Sequence, residues 1–155
     1  MKRIRLRNLK ESDKDNVFDL VQNPEVMRFI GPRRALTDDE AQAWFTEQLT
    51  RPSRRVVATC DTNELIGFCG MKILEGVPEF GYFLRHKFWQ QGYATEACRM
   101  VLQQLNLTID ISTLQTFIAN DNTASIALAR KLNWKKLSAT EQHGEQGHFY
   151  QLCIE

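Results

Sequence analysis

The sequence predicts a single α/β domain built around a mixed, mostly antiparallel sheet. Three observations predict it. Four stretches carry apolar residues at helical spacing, while shorter alternating or β-branched runs between them read as strands. The three middle strands follow one another directly, which gives hairpin-like connections and antiparallel pairing. The 155 residues contain no internal repeat, low-complexity stretch or linker, so residues 1–155 suit one compact domain with its own core.

The elements follow in order. Arg3-Ile4-Arg5-Leu6-Arg7 alternates polar and apolar and reads as a half-buried strand. Ser12 is placed to cap a helix carrying Val17, Phe18, Leu20 and Val21, and Asn23-Pro24 stops or breaks it. Thr37 and Glu40 form a capping box that opens a helix with Ala41, Trp44, Phe45, Gln48 and Leu49 along one face. Arg55 to Cys60, Leu65 to Ile73 and Phe80 to Leu84 read as strands, the first two joined by a turn at Asp61-Thr62-Asn63-Glu64. From Gly92 the period changes. Ala94, Ala97, Cys98, Val101, Leu102 and Leu105 share one side of a helix, with Thr95, Glu96, Arg99, Gln103 and Gln104 on the other. Leu114 to Ala119 is a strand, and Asp121-Asn122 caps a helix with Ala124, Ala127, Leu128 and Leu132 facing inward. Trp134 to Thr140 and Gly147 to Ile154 form a closing hairpin. The order is β-α-α-β-β-β-α-β-α-β-β.

Composition narrows the class. A formal net charge of +1 gives no bulk attraction to nucleic acid, and no direct nucleic-acid partner is expected. Cys60, Cys69, Cys98 and Cys153 are scattered, each among apolar residues. They read as small buried hydrophobes rather than metal ligands, and no metal is expected. No apolar run follows Lys2-Arg3 and none reaches membrane-spanning length, so the expected setting is a reducing cytoplasm without membrane contact. His86, His143 and His148 show neither metal nor triad spacing.

The chemically informative segment is Phe88-Trp89-Gln90-Gln91-Gly92-Tyr93-Ala94-Thr95, between a strand and a helix. Gly92 and Ala94 keep side chains small where the chain turns into the helix, so a ligand can approach the backbone. The first-turn N–H groups have no helical partners, and with the helix dipole they suit a phosphate. The same residues also fit a plain helix start with a glycine. Neither a nucleotide P-loop ending nor a dinucleotide glycine fingerprint is present.

Three blocks in order resemble one family. Glu79-Phe80-Gly81-Tyr82-Phe83-Leu84, the loop and Thr95-Glu96-Ala97 together resemble the acetyl-CoA signature of the GNAT superfamily of N-acetyltransferases. The Rim-type branch, ribosomal-protein N-terminal acetyltransferases and their relatives, is the most similar. Asn122-Thr123-Ala124-Ser125 with Lys131-Leu132-Asn133-Trp134 is similar to that branch's Asn-x-x-Ser helix and Leu-Gly-Phe ending, and Asn23-Pro24-Glu25-Val26-Met27 fits the start. Some positions depart from the pattern: Gln90 and Asn133 replace common glycines, and His86 a common proline. Trp89 stands where many superfamily members carry Gln or Arg, although the Rim-type branch often has Trp.

The resemblance implies about seven strands and about four helices, with the central strands splayed. It implies acetyl-CoA as cosubstrate, its pantetheine arm paired with backbone groups of Phe83, Leu84 and Arg85 like an added strand. The diphosphate would rest on the amides of Gln90, Gln91, Gly92, Tyr93, Ala94 and Thr95. Asn122 would bond near the reactive end, and Lys131 would meet a phosphate. Arg85, Lys87, Lys135 and Lys136 otherwise read as solvated charges. Glu79 is the candidate base, acting through water, or else an amine anchor or a solvated strand-edge carboxylate. Ser125 is the candidate hydrogen-bond donor to the sulfur, or else a support for its own helix; where many relatives have a Tyr, this chain has Ala129. The oxyanion would be held by the main-chain N–H near Phe83 or Leu84. Met27, Phe29, Ile30 and Gly31 would shape the acceptor pocket or lid the core, with Tyr82 lining the acceptor side or simply packing. The expected activity is acetyl transfer from acetyl-CoA to a primary amine, a protein N-terminus or a small molecule, by direct attack in a ternary complex. The alternatives are a non-catalytic acyl-CoA sensor and an unrelated α/β domain without CoA affinity. Monomer and homodimer both remain open.

Overall fold

A computed structural model describes residues 2–154. Seven strands form one sheet: β1 (Ile4–Arg7), β2 (Arg55–Thr59), β3 (Leu65–Leu74), β4 (Val77–Leu84), β5 (Gln115–Ala119), β6 (Lys135–Gln142) and β7 (Glu145–Gln151). They lie in the order β1-β2-β3-β4-β5-β7-β6. Five α-helices occur among the described residues: α1 (Lys14–Val21), α2 (Pro24–Met27), α3 (Asp38–Thr50), α4 (Tyr93–Leu105) and α5 (Thr123–Lys131). Neighbouring strands are antiparallel except β4 and β5, which run parallel and register only at Glu79 with Gln115. The predicted α/β class, mixed sheet and splayed centre are therefore present. The fifth helix is the four-residue α2, too short to leave a periodic signal.

Local chemistry explains most boundaries. At the start of α3 the Thr37 hydroxyl accepts the Glu40 N–H at 3.2 Å, and the Glu40 carboxylate accepts the Thr37 N–H at 2.9 Å. The Asn23 side chain accepts the Glu25 N–H at 2.9 Å and Pro24 fills the first helical position, so Asn23-Pro24 closes α1 and opens α2. Asn133 ends α5 at φ 61°, the left-handed cap expected where it replaces glycine. The β6–β7 turn is made by His143 and Gly144, both with positive φ, and the strands run further toward it than alternation suggested.

The sheet divides two cores. Val17, Leu20, Ala41, Phe45, Phe68 and Phe83 pack where α1–α3 cover one face; Phe80, Cys98, Val101, Leu102, Leu114 and Leu128 pack where α4 and α5 cover the other. Four expectations are corrected. Ser12 lies inside a short 3-10 turn (Glu11–Asp13) and caps nothing, because Asp13 takes the N-cap position and its carboxylate turns to Arg7. Ala124 and Ala127 are exposed while Ala129 is buried, and Thr95 is buried on α4. Cys60 is exposed and Cys153 half-buried; only Cys69 and Cys98 are core residues. Arg85 is buried, its guanidinium held at 2.9 Å by Asp19, by Glu64 and by the Leu65 carbonyl.

Candidate active site

The single register point between β4 and β5 leaves a wedge that opens toward the C-terminal ends of both strands. Register decides which backbone groups face it. The Arg85 N–H donates to the Ile66 carbonyl at 2.8 Å. Hydrogen-bonded pairs alternate along an antiparallel ladder, so Gly81 and Phe83 also turn their polar groups to β3. Phe80, Tyr82 and Leu84 turn theirs to the wedge. The Phe80 carbonyl accepts the Thr116 hydroxyl at 3.0 Å, near the closed end. The Leu84 carbonyl accepts the Trp89 indole N–H at 2.9 Å. The Tyr82 N–H and C=O and the Leu84 N–H are the groups left to the wedge. Phe83 and Arg85 were expected to offer main-chain groups here; the ladder commits Phe83 to β3, and Arg85 gives its N–H to the Ile66 carbonyl and its carbonyl to the Phe88 N–H at 3.0 Å. Phe83 instead packs its ring on Phe68, with centroids 5.6 Å apart.

The wedge is the floor of a cleft of about 610 Å³. Its walls come from four places: residues 25, 26 and 28–30 around α2; Tyr82, Phe83 and Leu84 of β4; Phe88, Trp89, Gln90, Gly92, Tyr93, Ala94 and Thr95; and Asp121 to Ser125 with Ala127, Leu128 and Lys131 of α5. At the start of α4, Gly92 is left-handed at φ 84° and Gln90 at φ 61°. Gln90, which replaces a common glycine, thus takes a glycine-like conformation with a side chain, at some backbone cost. Among the described residues no protein acceptor takes the main-chain N–H of residues 90–95. Unpaired amides, a helix N-terminus and a concave wall coincide, which suits an anionic group. Gln91 is the predicted loop residue outside the lining.

Deeper in the cleft, the Tyr82 hydroxyl lies 2.8 Å from the Ser125 hydroxyl. Burial pushes the Tyr82 phenol above the ordinary tyrosine range, Cys98 and Cys69 add to the rise, and the Ser125 hydrogen bond opposes it. Tyr82 therefore stays protonated at neutral pH. Asn122 caps α5 by accepting the Ser125 N–H at 3.3 Å, and both residues line the cleft. Glu79 stands apart. It sits at the closed end of the wedge, outside the lining, and its carboxylate meets the nearly buried Arg54 at 3.1 Å. Burial lowers the Arg54 pKa and Glu79 opposes that fall.

On the α2 side, Phe29 and Ile30 line the cleft, but Met27 is buried in the core and Gly31 lies outside the lining. Glu25, Val26 and Arg28 are lining residues that sequence reading missed. Their signal was the Asn23-Pro24 pair, which starts the short α2 that carries residues 25 and 26, with 28–30 in the turn that follows it. The Arg28 guanidinium sits 4.8 Å from the centre of the Phe29 ring. Asp121 was read as cap, and Ala124, Ala127 and Leu128 as core, not as cleft; Thr123 was given no role of its own. Lys131 also lines the cleft.

Comparison with known proteins agrees with this geometry. The family model described as acetyltransferase (GNAT) domain matches residues 3–135. The N-acetyltransferase p20 of Bacillus licheniformis, itself uncharacterized, is 25% identical over 142 residues, 86% of this chain and 80% of that protein. A GNAT-family acetyltransferase from Bacillus anthracis superposes with a TM-score of 0.81 at 19% identity, covering 96% of this chain and 92% of that one. The yncA protein of Salmonella typhimurium, in a structure described with its cofactor acetyl-CoA, superposes at 0.68 with 13% identity, covering 99% and 95%. With a wedge between parallel strands, free amides at its mouth and a family match across most of its length, the chain belongs to the GNAT family and is an acyltransferase.

Proposed function

We propose that this protein moves an acetyl group from acetyl-CoA to a primary amine, a protein N-terminus or a small molecule, by direct attack with both reactants bound. One observation carries the reading: unpaired amides at residues 90 and 92–95 and unpaired edge groups of Tyr82 and Leu84 belong to the walls of the same cleft. An anion at the first and a strand-like amide arm along the second match the two halves of CoA. The neighbour described with acetyl-CoA supports the cofactor. The Rim-type branch is the finer placement, and it rests on the Glu79–Tyr82 and Asn122–Ser125 blocks.

Acetyl-CoA, when bound, supplies an activated thioester. This chain's residues do the rest. The Leu84 N–H donates to the oxyanion in place of Phe83, whose N–H faces β3. Ser125, backed by Tyr82, hydrogen-bonds the departing sulfur. A thiolate of pKa about 8.5 needs only modest acid help. Asn122 Nδ2, with its oxygen committed to the α5 cap, bonds the pantetheine end, and Lys131 meets a phosphate. Glu79 removes the amine proton through water, since it lies off the cleft lining; a peptide α-amine, pKa about 8, asks little of a base. Phe29, Ile30 and Arg28 shape the acceptor entrance.

Calorimetry with CoA and a thiol-release assay over amines and peptides test this. We expect CoA binding and turnover on at least one acceptor. Gly92→Glu, which sets a carboxylate at the amide site, abolishes CoA binding in a folded protein. Wild-type affinity in that variant would refute the placement of the diphosphate.

A further inference from the structure

The amide loop is held from behind by a residue with no part in the cleft itself. Arg3, just ahead of β1, makes three contacts with it. Its Nη2 donates to the Gln91 carbonyl at 3.0 Å, its Nε donates to Glu96 Oε1 at 3.3 Å, and its guanidinium carbon lies 4.2 Å from the centre of the Tyr93 ring. Tyr93 in turn packs edge-on against the buried Phe88, with centroids 5.7 Å apart. The peptide bond is planar and trans, so the carbonyl of residue 91 and the N–H of residue 92 point in opposite directions. Holding the Gln91 carbonyl toward Arg3 therefore turns the Gly92 N–H away from Arg3, to the side where Gly92 lines the cleft. Glycine leaves this peptide free to rotate, so an outside hold has something to fix.

Charge adds a second effect. Glu96 lies in the first turn of α4, and its Oε2 is buried with no hydrogen-bond partner among the described residues. A carboxylate there weakens a site for anions. Arg3 offsets it.

We propose that Arg3 is a positioning residue for the diphosphate loop, fixing the 91–92 peptide so that the Gly92 amide faces the ligand and neutralising Glu96 behind it. The inference rests on the acetyl-CoA reading above. Arg3→Ala, Arg3→Lys and Arg3→Ala/Glu96→Gln are compared with wild type, using CoA by calorimetry and acetyl-CoA by thiol release. For Arg3→Ala we expect Kd for CoA and KM for acetyl-CoA to rise about tenfold, with kcat held within about twofold. Arg3→Lys keeps the charge without the planar fork, so its loss is intermediate. Adding Glu96→Gln to Arg3→Ala recovers about threefold or more, because the unpaired carboxylate is gone.

Wild-type CoA affinity in Arg3→Ala overturns the proposal while leaving the cofactor reading intact. So does a fall in kcat and melting midpoint that parallels the rise in Kd in both single variants, the mark of general destabilisation. No recovery on adding Glu96→Gln overturns the role in charge. A wild-type protein that does not bind CoA sinks the cofactor reading first, and this inference with it. Arg3→Lys serves alone if Arg3→Ala does not fold.

Discussion

Tyr82 and Ser125 form the closest polar side-chain pair lining the cleft, and their geometry divides the labour between them. Tyr82 stays protonated, so its proton can be given to Ser125 Oγ, and in the proposed mechanism the Ser125 proton then points at sulfur. Ser125→Ala removes the proposed donor itself, and Tyr82→Phe removes the hydroxyl proposed to aim it. We expect both to lower kcat, Tyr82→Phe by about tenfold, with KM for acetyl-CoA little changed. Steady-state thiol release over a range of acetyl-CoA concentrations separates the two constants. A Tyr82→Phe enzyme with normal kcat would make Tyr82 a packing residue only. Glu79→Gln is expected to lower turnover more than CoA affinity, and full activity across the pH range would remove Glu79 from the mechanism. Ser125 was legible in the sequence because it stands in a local Asn-x-x-Ser pattern. Tyr82 was named there too, but its pairing with Ser125 was not legible, because 43 residues and two elements separate them.

At the scale of elements, periodicity exposed the strands and long helices because each buries one face. It could not expose the alternation of backbone groups along β4. That alternation depends on which residue of β3 stands opposite, and one residue of slip exchanges the committed groups for the free ones. Hence main-chain groups of Phe83, Leu84 and Arg85 were expected at the wedge, whereas Tyr82 and Leu84 supply them. Gly147 shows the same limit on β7. A Cβ there would meet the Ile118 carbonyl oxygen, Ala119 Cα and the Phe117 ring, two of them backbone atoms of β5. Those atoms belong to the strand that forms one wall of the wedge, so they cannot yield without moving the site. Gly147→Ala is expected to destabilise the fold by about 1–3 kcal/mol, the range for overpacking a tight core. Urea unfolding measures it, and an unchanged midpoint would show that β5 gives way freely. Asn133→Ala is expected to cost about 1 kcal/mol, because alanine lacks the tolerance of asparagine for the left-handed cap at the end of α5.

Across the whole molecule, the two halves of the sheet meet at one register point, so stability must come from each half and its helices. The β1 side is fastened by a buried ion pair. Arg7 donates to both Asp13 oxygens at 2.8 Å, and its remaining donors go to the Asn63 side chain and to the carbonyls of Asn8 and Asn63. Both side chains are 7% exposed. Burial alone would raise the Asp13 pKa; the Arg7 hydrogen bonds, the Lys10 amide and the positive charge of Arg7 outweigh it and hold the carboxyl below its ordinary value. A folded-state pKa below the unfolded one means the pair stabilises fully above about pH 4, the unfolded aspartate range, and loses that contribution as pH falls through the folded value. Removing one partner strands the other, so Arg7→Ala is expected to cost about 3–5 kcal/mol at neutral pH. Asp13→Asn strands Arg7 in the same way at neutral pH but cannot titrate. In urea melts from about pH 7 to about pH 3, the gap between wild type and Asp13→Asn should narrow on the acid side as wild-type Asp13 takes up its proton. A gap of constant size would mean that Asp13 does not titrate in that range, and the acid lability of the fold would lie with other carboxylates.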